Sequence, residues 1–229
     1  MSNKRVPDHQ FHQDSINALK AQDPSIALIF GFETTQRRSL AVNLLCLSGE
    51  LENAIRIPKE PMLAAIRVQW WYDTLADEAS AHQPNIAPLV VRLRTHIHND
   101  DIKRDDVLKL IEAWQACTMD ETASSADAWS ACWQLIGRYL GDDEIGVVAQ
   151  KIGGVLHGQK MPNTATTQSL DSAYLKALRF QVLKNRQWWL YFAAIIGYRR
   201  QSGNHVESDD HLLVWRLLGW RLFGFNAHD

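Results

Sequence analysis

The sequence predicts a single all-α domain of about eight or nine helices. Apolar residues recur at spacings of three and four along most of the 229 residues, which is the period of an α-helix. No long stretch alternates apolar and polar residues as a half-buried strand does. The seven prolines lie at the edges of these periodic segments, where they bound helices. We expect one domain over residues 1–229, with residues 1–14 as a flexible tail.

The first predicted helices have clear boundaries. Residues 23–31 form a short helix with Asp23 as N-cap, Pro24 at the first helical position and Gly31 as its stop. Residues 34–55 follow as a longer helix, whose apolar stripe consists of four leucines: Leu40, Leu44, Leu47 and Leu51.

Pro58 and Pro61 break this helix, and the next one starts near Glu60 and runs to about Ala81. Its residues Leu63, Ile66 and Trp70 continue one apolar stripe. Asp100 or Asp101 is the candidate cap between the two helices that come next. The later helices are predicted over the following segments: 86–99, 104–117, 125–141, 142–160, 170–198 and 209–225.

Charge and cysteine content exclude several classes of protein. The formal net charge is −2 with both signs spread along the chain, whereas nucleic-acid binders usually carry a basic face. The three cysteines are far apart and no Cys-x-x-Cys pair occurs, so neither a disulfide framework nor a zinc site is expected. Cys46 and Cys132 lie among apolar residues, which predicts buried, unreactive thiols. We expect a cytoplasmic, reducing compartment.

The last predicted helix spans residues 209–225, and from Leu212 to Phe223 it is apolar on nearly every side, interrupted only by Arg216, Gly219 and Arg221. Such a helix either docks in the core or needs a partner, and tryptophan with arginine beside an apolar face also suits a membrane surface. No run approaches the roughly 18 apolar residues of a spanning helix. We expect a soluble protein, with peripheral membrane contact through this helix as the alternative.

The segment IRVQWWYDTLAD, residues 66–77, holds the first candidates for ligand binding. On a helix, Asp73 and Asp77 share one face, and two carboxylates at this spacing can bind Mg²⁺. Arg67 and Trp71 share a neighbouring face, where a guanidinium beside an indole can line a pocket for an anionic, apolar ligand. The alternative is a solvated acidic helix end with the tryptophans in the core.

Two further pairs are candidates. Glu50 and Asn53 are three apart and can share a helix face, although the alternative is a solvated or salt-bridged role. His157 and Lys160, also three apart, can bind an anion, but basic residues in a last turn complement the helix dipole without any function. We assign no catalytic or metal-binding residue from these patterns.

Residues 23–77 resemble the squalene/phytoene synthase family. The matching segments are DPSIALIFGFETTQRRSLAVNLL, GELENAI and EPMLAAIRVQWWYDTLAD, of which the last is the most specific. The resemblance implies the isoprenoid synthase fold, a single all-α bundle. Active members of that family join two prenyl diphosphates, using Mg²⁺ bound to two aspartate-rich motifs.

The sequence departs from the family at both acidic motifs. Glu50 stands at the first aspartate of the first motif and Ala54 at the later one, while VVAQKIGGVLHGQK, where the second motif is expected, contains no acid. Ionisation of a diphosphate needs several divalent ions, so the resemblance implies a non-catalytic protein without cofactor. It is nearest to a branch similar to a mitochondrial complex I assembly factor. That branch implies a partner protein or an isoprenoid-like lipid, respiratory complex assembly, and contact with the inner membrane.

Two alternatives stay open. One is an active Mg²⁺-dependent prenyl diphosphate transferase that uses a relocated cluster of Glu50, Asp73 and Asp77, with Arg67 holding the diphosphate. The other is a structural helical adaptor whose interior is filled by tryptophan side chains and has no ligand cavity.

Overall fold

The computed structural model describes residues 8–77, 87–119, 123–158, 170, 172–185, 187–202 and 215–219. Within these ranges the regular elements are helices and no strand occurs, which confirms the all-α prediction. We number the α-helices in chain order: α1 Asp8–Gln22, α2 Pro24–Ile29, α3 Thr35–Arg56, α4 Pro61–Ala76, α5 Pro88–His98, α6 Arg104–Met119, α7 Ser125–Leu140, α8 Asp143–Leu156, α9 Ser172–Asn185 and α10 Trp188–Gln201. Residues 215–219 are helical as well.

The start of the domain folds as its sequence predicts. Asp23 accepts hydrogen bonds from backbone N–H groups of the first turn of α2, and Pro24 occupies the first helical position. A single 3-10 turn, Phe30–Phe32, then leads to α3. The predicted leucine stripe of α3 is buried throughout. Helix α1 begins at Asp8, inside the segment that we expected to be a flexible tail.

Helix α4 ends earlier than predicted and buries a different face. It ends at Ala76, with Asp77 as an extended C-cap, instead of reaching Ala81. The face that packs towards α3 and α6 consists of four buried residues: Ala64, Val68, Trp71 and Leu75. The predicted stripe lies on the solvent side, where the exposed fractions are 47% for Leu63, 58% for Ile66 and 47% for Trp70.

An aromatic cluster fills the centre of the bundle. Phe30, Trp133 and Trp189 are fully buried, and their ring centroids are 5.6 to 6.3 Å apart. Helices α7 and α8 pack closely beside this cluster because glycines lie at their contact. A Cβ atom at Gly153 would lie 2.4 Å from the ring of Trp133, so only glycine fits there without movement of the ring.

The prediction of one helix over residues 170–198 is wrong. The structure has two helices, α9 and α10, and Gln187 is the N-cap of the second. The Gln187 side chain is buried against the end of α7, where its amide nitrogen lies 3.5 Å from the carbonyl oxygen of Leu140. This tertiary contact holds Gln187 outside helical geometry.

The capping role predicted for Asp100 or Asp101 is also wrong. Helix α6 begins at Arg104, and the carboxylate of Asp101 accepts hydrogen bonds from His96 and Gln36 instead. Asp100 adopts a left-handed backbone conformation, with φ of 57°, in the turn after α5.

The buried thiols agree with their prediction. Cys46 and Cys132 are both buried, and burial raises their pKa values to about 11 and about 12. Both therefore carry their proton at neutral pH, which makes them poor nucleophiles.

The predicted last helix lies mostly outside the described residues. Its described part, residues 215–219, is helical, with Trp215 71% exposed and Leu217 buried. Across the described part of the chain, no helix combines the length and the apolar character needed to cross a bilayer.

Candidate functional site

A cleft between α3 and α4 brings together four of the residues that the sequence singled out. It has a volume of about 240 Å³ and is lined by Glu50, Asn53, Ala54, Ile57, Arg67, Trp70 and Trp71. Only residues 57–60 connect the two helices, so they form a hairpin whose facing side chains line one groove. We call this groove the α3–α4 cleft.

The cleft carries one charge of each sign. Glu50 projects from α3 and Arg67 from α4; both are exposed, and neither forms an ion pair or hydrogen bond within the described residues. Asn53 accepts a hydrogen bond from Arg56, at 3.0 Å. The Trp70 ring packs edge-on against the buried Trp71, with centroids 5.1 Å apart.

Asp73 and Asp77 do not line the α3–α4 cleft. Asp73 accepts a hydrogen bond from Gln69, at 2.7 Å, and Gln69 in turn accepts one from Gln115 of α6. This places Asp73 on the side of α4 that adjoins α6, away from the cleft residue Glu50. Within the ranges that the structure describes, no group of three or more His, Cys, Asp or Glu side chains could hold a metal ion. The residues present therefore do not fit the relocated Mg²⁺ cluster.

A second cavity, which we call the interior cavity, lies between α1, α2, α3 and the ends of α7 and α8, and it opens to solvent beside the exposed residues Gln22 and Arg56. Its volume is about 290 Å³. Buried apolar side chains form part of its wall, namely Leu19, Ile26 and Leu45. The polar and aromatic residues of the wall are Gln22, Asp23, Glu52, Asn53, Arg56, Trp129 and His157. Asn53 lines both cavities, so the two sites are neighbours.

His157, one of the predicted site residues, lines the interior cavity. Its ring stacks on the Trp129 ring, with centroids 3.9 Å apart and planes at 5°. Its Nε2 atom is enclosed and has no hydrogen-bond partner within the part of the chain that the structure describes, and the same holds for Nε1 of Trp129. Burial, together with the nearby charge of Arg200, lowers the pKa of His157 to about 3, although the charge of Asp23 opposes this.

The imidazole of His157 is therefore neutral at physiological pH, because its folded-state pKa lies several units lower. A neutral ring does not supply the positive charge that the anion-binding hypothesis needs. Lys160, its predicted companion, lies outside the described residues.

An ion pair anchors the wall of the interior cavity. Nη2 of Arg200 in α10 lies 2.6 Å from the Asp23 carboxylate and 3.0 Å from the Ser25 hydroxyl. Burial alone would raise the pKa of Asp23, but the charge of Arg200 and the hydrogen bonds to the carboxylate outweigh it and lower that pKa. Asp23 thus combines helix capping, which the sequence predicts, with an ion pair and a position in the cavity wall, which it does not.

A polar network joins α1, α3 and α5 outside both cavities. His96 lies 2.8 Å through Nδ1 from Asp101, and its Nε2 is 3.2 Å from both Ser39 Oγ and Asn43 Nδ2. Asn43 also accepts a hydrogen bond from Ser15 of α1, at 2.8 Å. Ser39, His96 and Asp101 are connected in the same way as the serine, histidine and aspartate of a hydrolytic triad. However, Asn43 also contacts Nε2 of His96, and Ser39 lines neither cavity. The network ties helices together.

Comparison of the chain with protein-family models, with curated proteins and with solved structures finds no match. The resemblance to squalene/phytoene synthases therefore depends on the segments of residues 23–77 alone.

Proposed function

We propose that the chain is a non-catalytic squalene/phytoene-synthase-like protein that binds a neutral, isoprenoid-like lipid in the interior cavity. One observation carries the proposal: two enclosed ring nitrogens of residues that line the cavity, Nε2 of His157 and Nε1 of Trp129, have no hydrogen-bond partner among the described residues. Buried polar groups in proteins are nearly always hydrogen-bonded, and leaving one unpaired costs about 1–3 kcal/mol. The stacked rings leave no room between them, so a ligand oxygen would have to lie at the edge of the stack, in the ring planes, to reach these nitrogens.

The wall of the cavity supports an amphiphilic ligand. The buried side chains of Leu19, Ile26 and Leu45 offer contact to an apolar chain. A hydroxyl group can accept a hydrogen bond from Nε1 of Trp129 and donate its own to Nε2 of His157.

The charges of the site favour a neutral head group over a diphosphate. His157 is neutral, and Arg200 is engaged by the Asp23 carboxylate. The remaining cation of the wall, Arg56, is exposed and donates to Asn53. Glu52, in the same wall, repels an anion. The acids of the described residues do not assemble around one position, so they offer no cluster for Mg²⁺ there.

Calorimetric titration with farnesol and with farnesyl diphosphate, each with and without Mg²⁺, tests this function. We expect saturable binding of farnesol that Mg²⁺ does not alter, and no release of pyrophosphate from the diphosphate. His157→Phe keeps a ring on Trp129 but removes Nε2, so it should weaken farnesol binding by roughly fivefold to tenfold. His98→Phe, at an exposed histidine, is the control.

Two results contradict the proposal. Mg²⁺-dependent pyrophosphate release would restore the transferase hypothesis. Equal farnesol affinity in wild type and His157→Phe would mean that the interior cavity is not the binding site.

A structural adaptor is the second candidate, and the aromatic cluster of Phe30, Trp133 and Trp189 favours it. These rings fill the centre of the bundle, as that hypothesis expects. An adaptor predicts that neither farnesol nor its diphosphate gives a binding isotherm. A partner protein and a role in respiratory complex assembly, which the resemblance implies, stay hypotheses.

A further inference from the structure

The α3–α4 cleft holds an acid and a base that do not pair with each other. Glu50 lines the cleft from α3 and Arg67 lines it from α4, and both side chains are exposed. Neither has an ionic partner among the described residues, the other one included, so a gap separates the two charged groups. A ligand with one charge would be attracted by one of these side chains and repelled by the other. A small zwitterion would be attracted by both.

Asn53 adds an amide group to the same wall of the cleft as Glu50. Its Oδ1 atom accepts one hydrogen bond, from Arg56 at 3.0 Å, and keeps a second lone pair. Its Nδ2 group donates to no residue in the part of the chain that the structure describes. The carboxylate and the amide oxygen of this wall both accept hydrogen bonds, so they favour a primary ammonium, which has N–H donors, over a quaternary one. The guanidinium of Arg67 can donate two parallel hydrogen bonds to a carboxylate.

The rest of the cleft is apolar. Ala54 and Trp71 are buried, whereas Ile57 and Trp70 are exposed. An apolar side chain of a ligand can therefore cover apolar surface that water otherwise contacts. The volume of about 240 Å³ equals that of about eight water molecules at about 30 Å³ each, which is close to the size of leucine with its roughly nine non-hydrogen atoms.

We infer that the α3–α4 cleft binds a free α-amino acid with an apolar side chain. The ammonium group of the ligand contacts Glu50 and Asn53, and its carboxylate contacts Arg67. Its side chain packs on Trp71 and Ile57. This ligand differs from the anionic, apolar one that Arg67 and Trp71 predict by themselves, because Glu50 disfavours a ligand that carries only negative charge.

The inference goes beyond the proposed function and does not depend on it. The lipid is proposed to contact His157 and Trp129, and neither residue lines the α3–α4 cleft. His157→Phe should therefore leave amino-acid binding unchanged, and Arg67→Gln should leave farnesol binding unchanged. The failure of one proposal can thus be told apart from the failure of the other.

Calorimetric titration of the full chain with L-leucine up to about 10 mM tests the site, and we expect saturable binding with a dissociation constant of about 1 mM or below. N-acetyl-leucine lacks the ammonium group and leucinamide lacks the carboxylate, so each should bind at least about fivefold more weakly. Glycine keeps both charges without an apolar side chain and should also bind at least about fivefold more weakly.

Variants at the two charges connect each group of the ligand to its partner. Glu50→Gln should weaken leucine binding roughly fivefold without weakening N-acetyl-leucine binding, because that analogue has no ammonium group. Arg67→Gln should weaken leucine binding by a similar factor without weakening leucinamide binding. Glu112→Gln is the matched control, because Glu112 of α6 is also exposed and lines neither cavity. All three positions are on the surface, so the variants should keep the fold.

Several outcomes overturn the inference. Absence of saturable leucine binding over the whole range removes the site. Leucine binding that N-acetyl-leucine and leucinamide match in affinity would mean that the charges of the ligand are not recognised. Wild-type affinity for leucine in both Glu50→Gln and Arg67→Gln would place the binding outside the cleft. Tighter binding of glycerophosphoethanolamine than of leucine would assign the cleft to a phospholipid head group instead of an amino acid.

Discussion

Acidification from about pH 7 to about pH 5 should lower the stability of the protein, because His157 takes up a proton in the unfolded state but not in the folded state. In the unfolded chain the imidazole has its ordinary pKa of 6.5, whereas burial lowers the folded-state pKa to about 3. Between these values the unfolded state binds a proton that the folded state does not. The free energy of unfolding therefore decreases as the pH falls through this window, and the full stability is present above about pH 6.5.

The size of this loss of stability follows from how far the pH lies below the pKa of His157 in the unfolded state. Each pH unit below the unfolded pKa removes about 1.4 kcal/mol per proton. At about pH 5 this amounts to about 2 kcal/mol, an upper value because the ring as a whole is half-buried although Nε2 is enclosed. His157→Phe cannot take up the proton in either state, so this part of the pH dependence disappears.

Urea denaturation of wild type and His157→Phe at about pH 7 and pH 5 measures the effect. Other titrating groups are common to both proteins and cancel in the difference. We expect the variant to lose about 2 kcal/mol less stability than wild type on acidification. His98→Phe controls for removal of an imidazole from the surface. Equal losses in wild type and His157→Phe would refute the inference that His157 is buried and neutral.

Two further predictions concern packing and capping, and both are measured as free energies of unfolding at neutral pH. Gly153→Ala should destabilise the protein by about 1–3 kcal/mol because its methyl group would overlap the ring of Trp133, whereas Gly31→Ala meets no atom within 4 Å and should not show this loss. Asp23→Ala should lower the free energy of unfolding by about 2 kcal/mol, since it removes both a helix cap and a partly buried ion pair with Arg200. Asp142→Ala removes only the cap of α8 and should cost about 1 kcal/mol. Equal effects within either pair would contradict the corresponding contact.

Local chemistry predicted the helix boundaries where caps and prolines mark them, as at α2. The break at Gln187 has no such mark, because the residue is held by a contact with the end of α7 that arises only in the folded chain. The face of α4 was also not predictable from periodicity. Its sequence is apolar on two sides, so the spacing of Leu63, Ile66 and Trp70 describes a stripe without indicating whether it points inwards.

The arrangement of the candidate site was likewise only partly predictable from the sequence. Glu50 and Arg67 come together because their helices are joined by a short connection, which the sequence predicts. The stack of His157 on Trp129 depends on how α8 packs against α7, and no pattern in either segment indicates it. Asp73 was assigned to a cluster by its spacing from Asp77, yet its carboxylate accepts a hydrogen bond from Gln69 of the same helix, which in turn contacts Gln115 of α6, and it does not line the cleft.

The attachment of α1 bears on how a ligand reaches the interior cavity. Leu19 of this helix forms part of the cavity wall, and Ser15 holds the helix by a hydrogen bond to Asn43. Of the α1 side chains that the structure describes, only Ser15 and Leu19 are buried, and segments with few buried contacts open at low free energy. Amide hydrogens of α1 should therefore exchange with solvent faster than those of α3. Detachment of α1 would take Leu19 and Gln22 out of the cavity wall and so widen the cavity on that side.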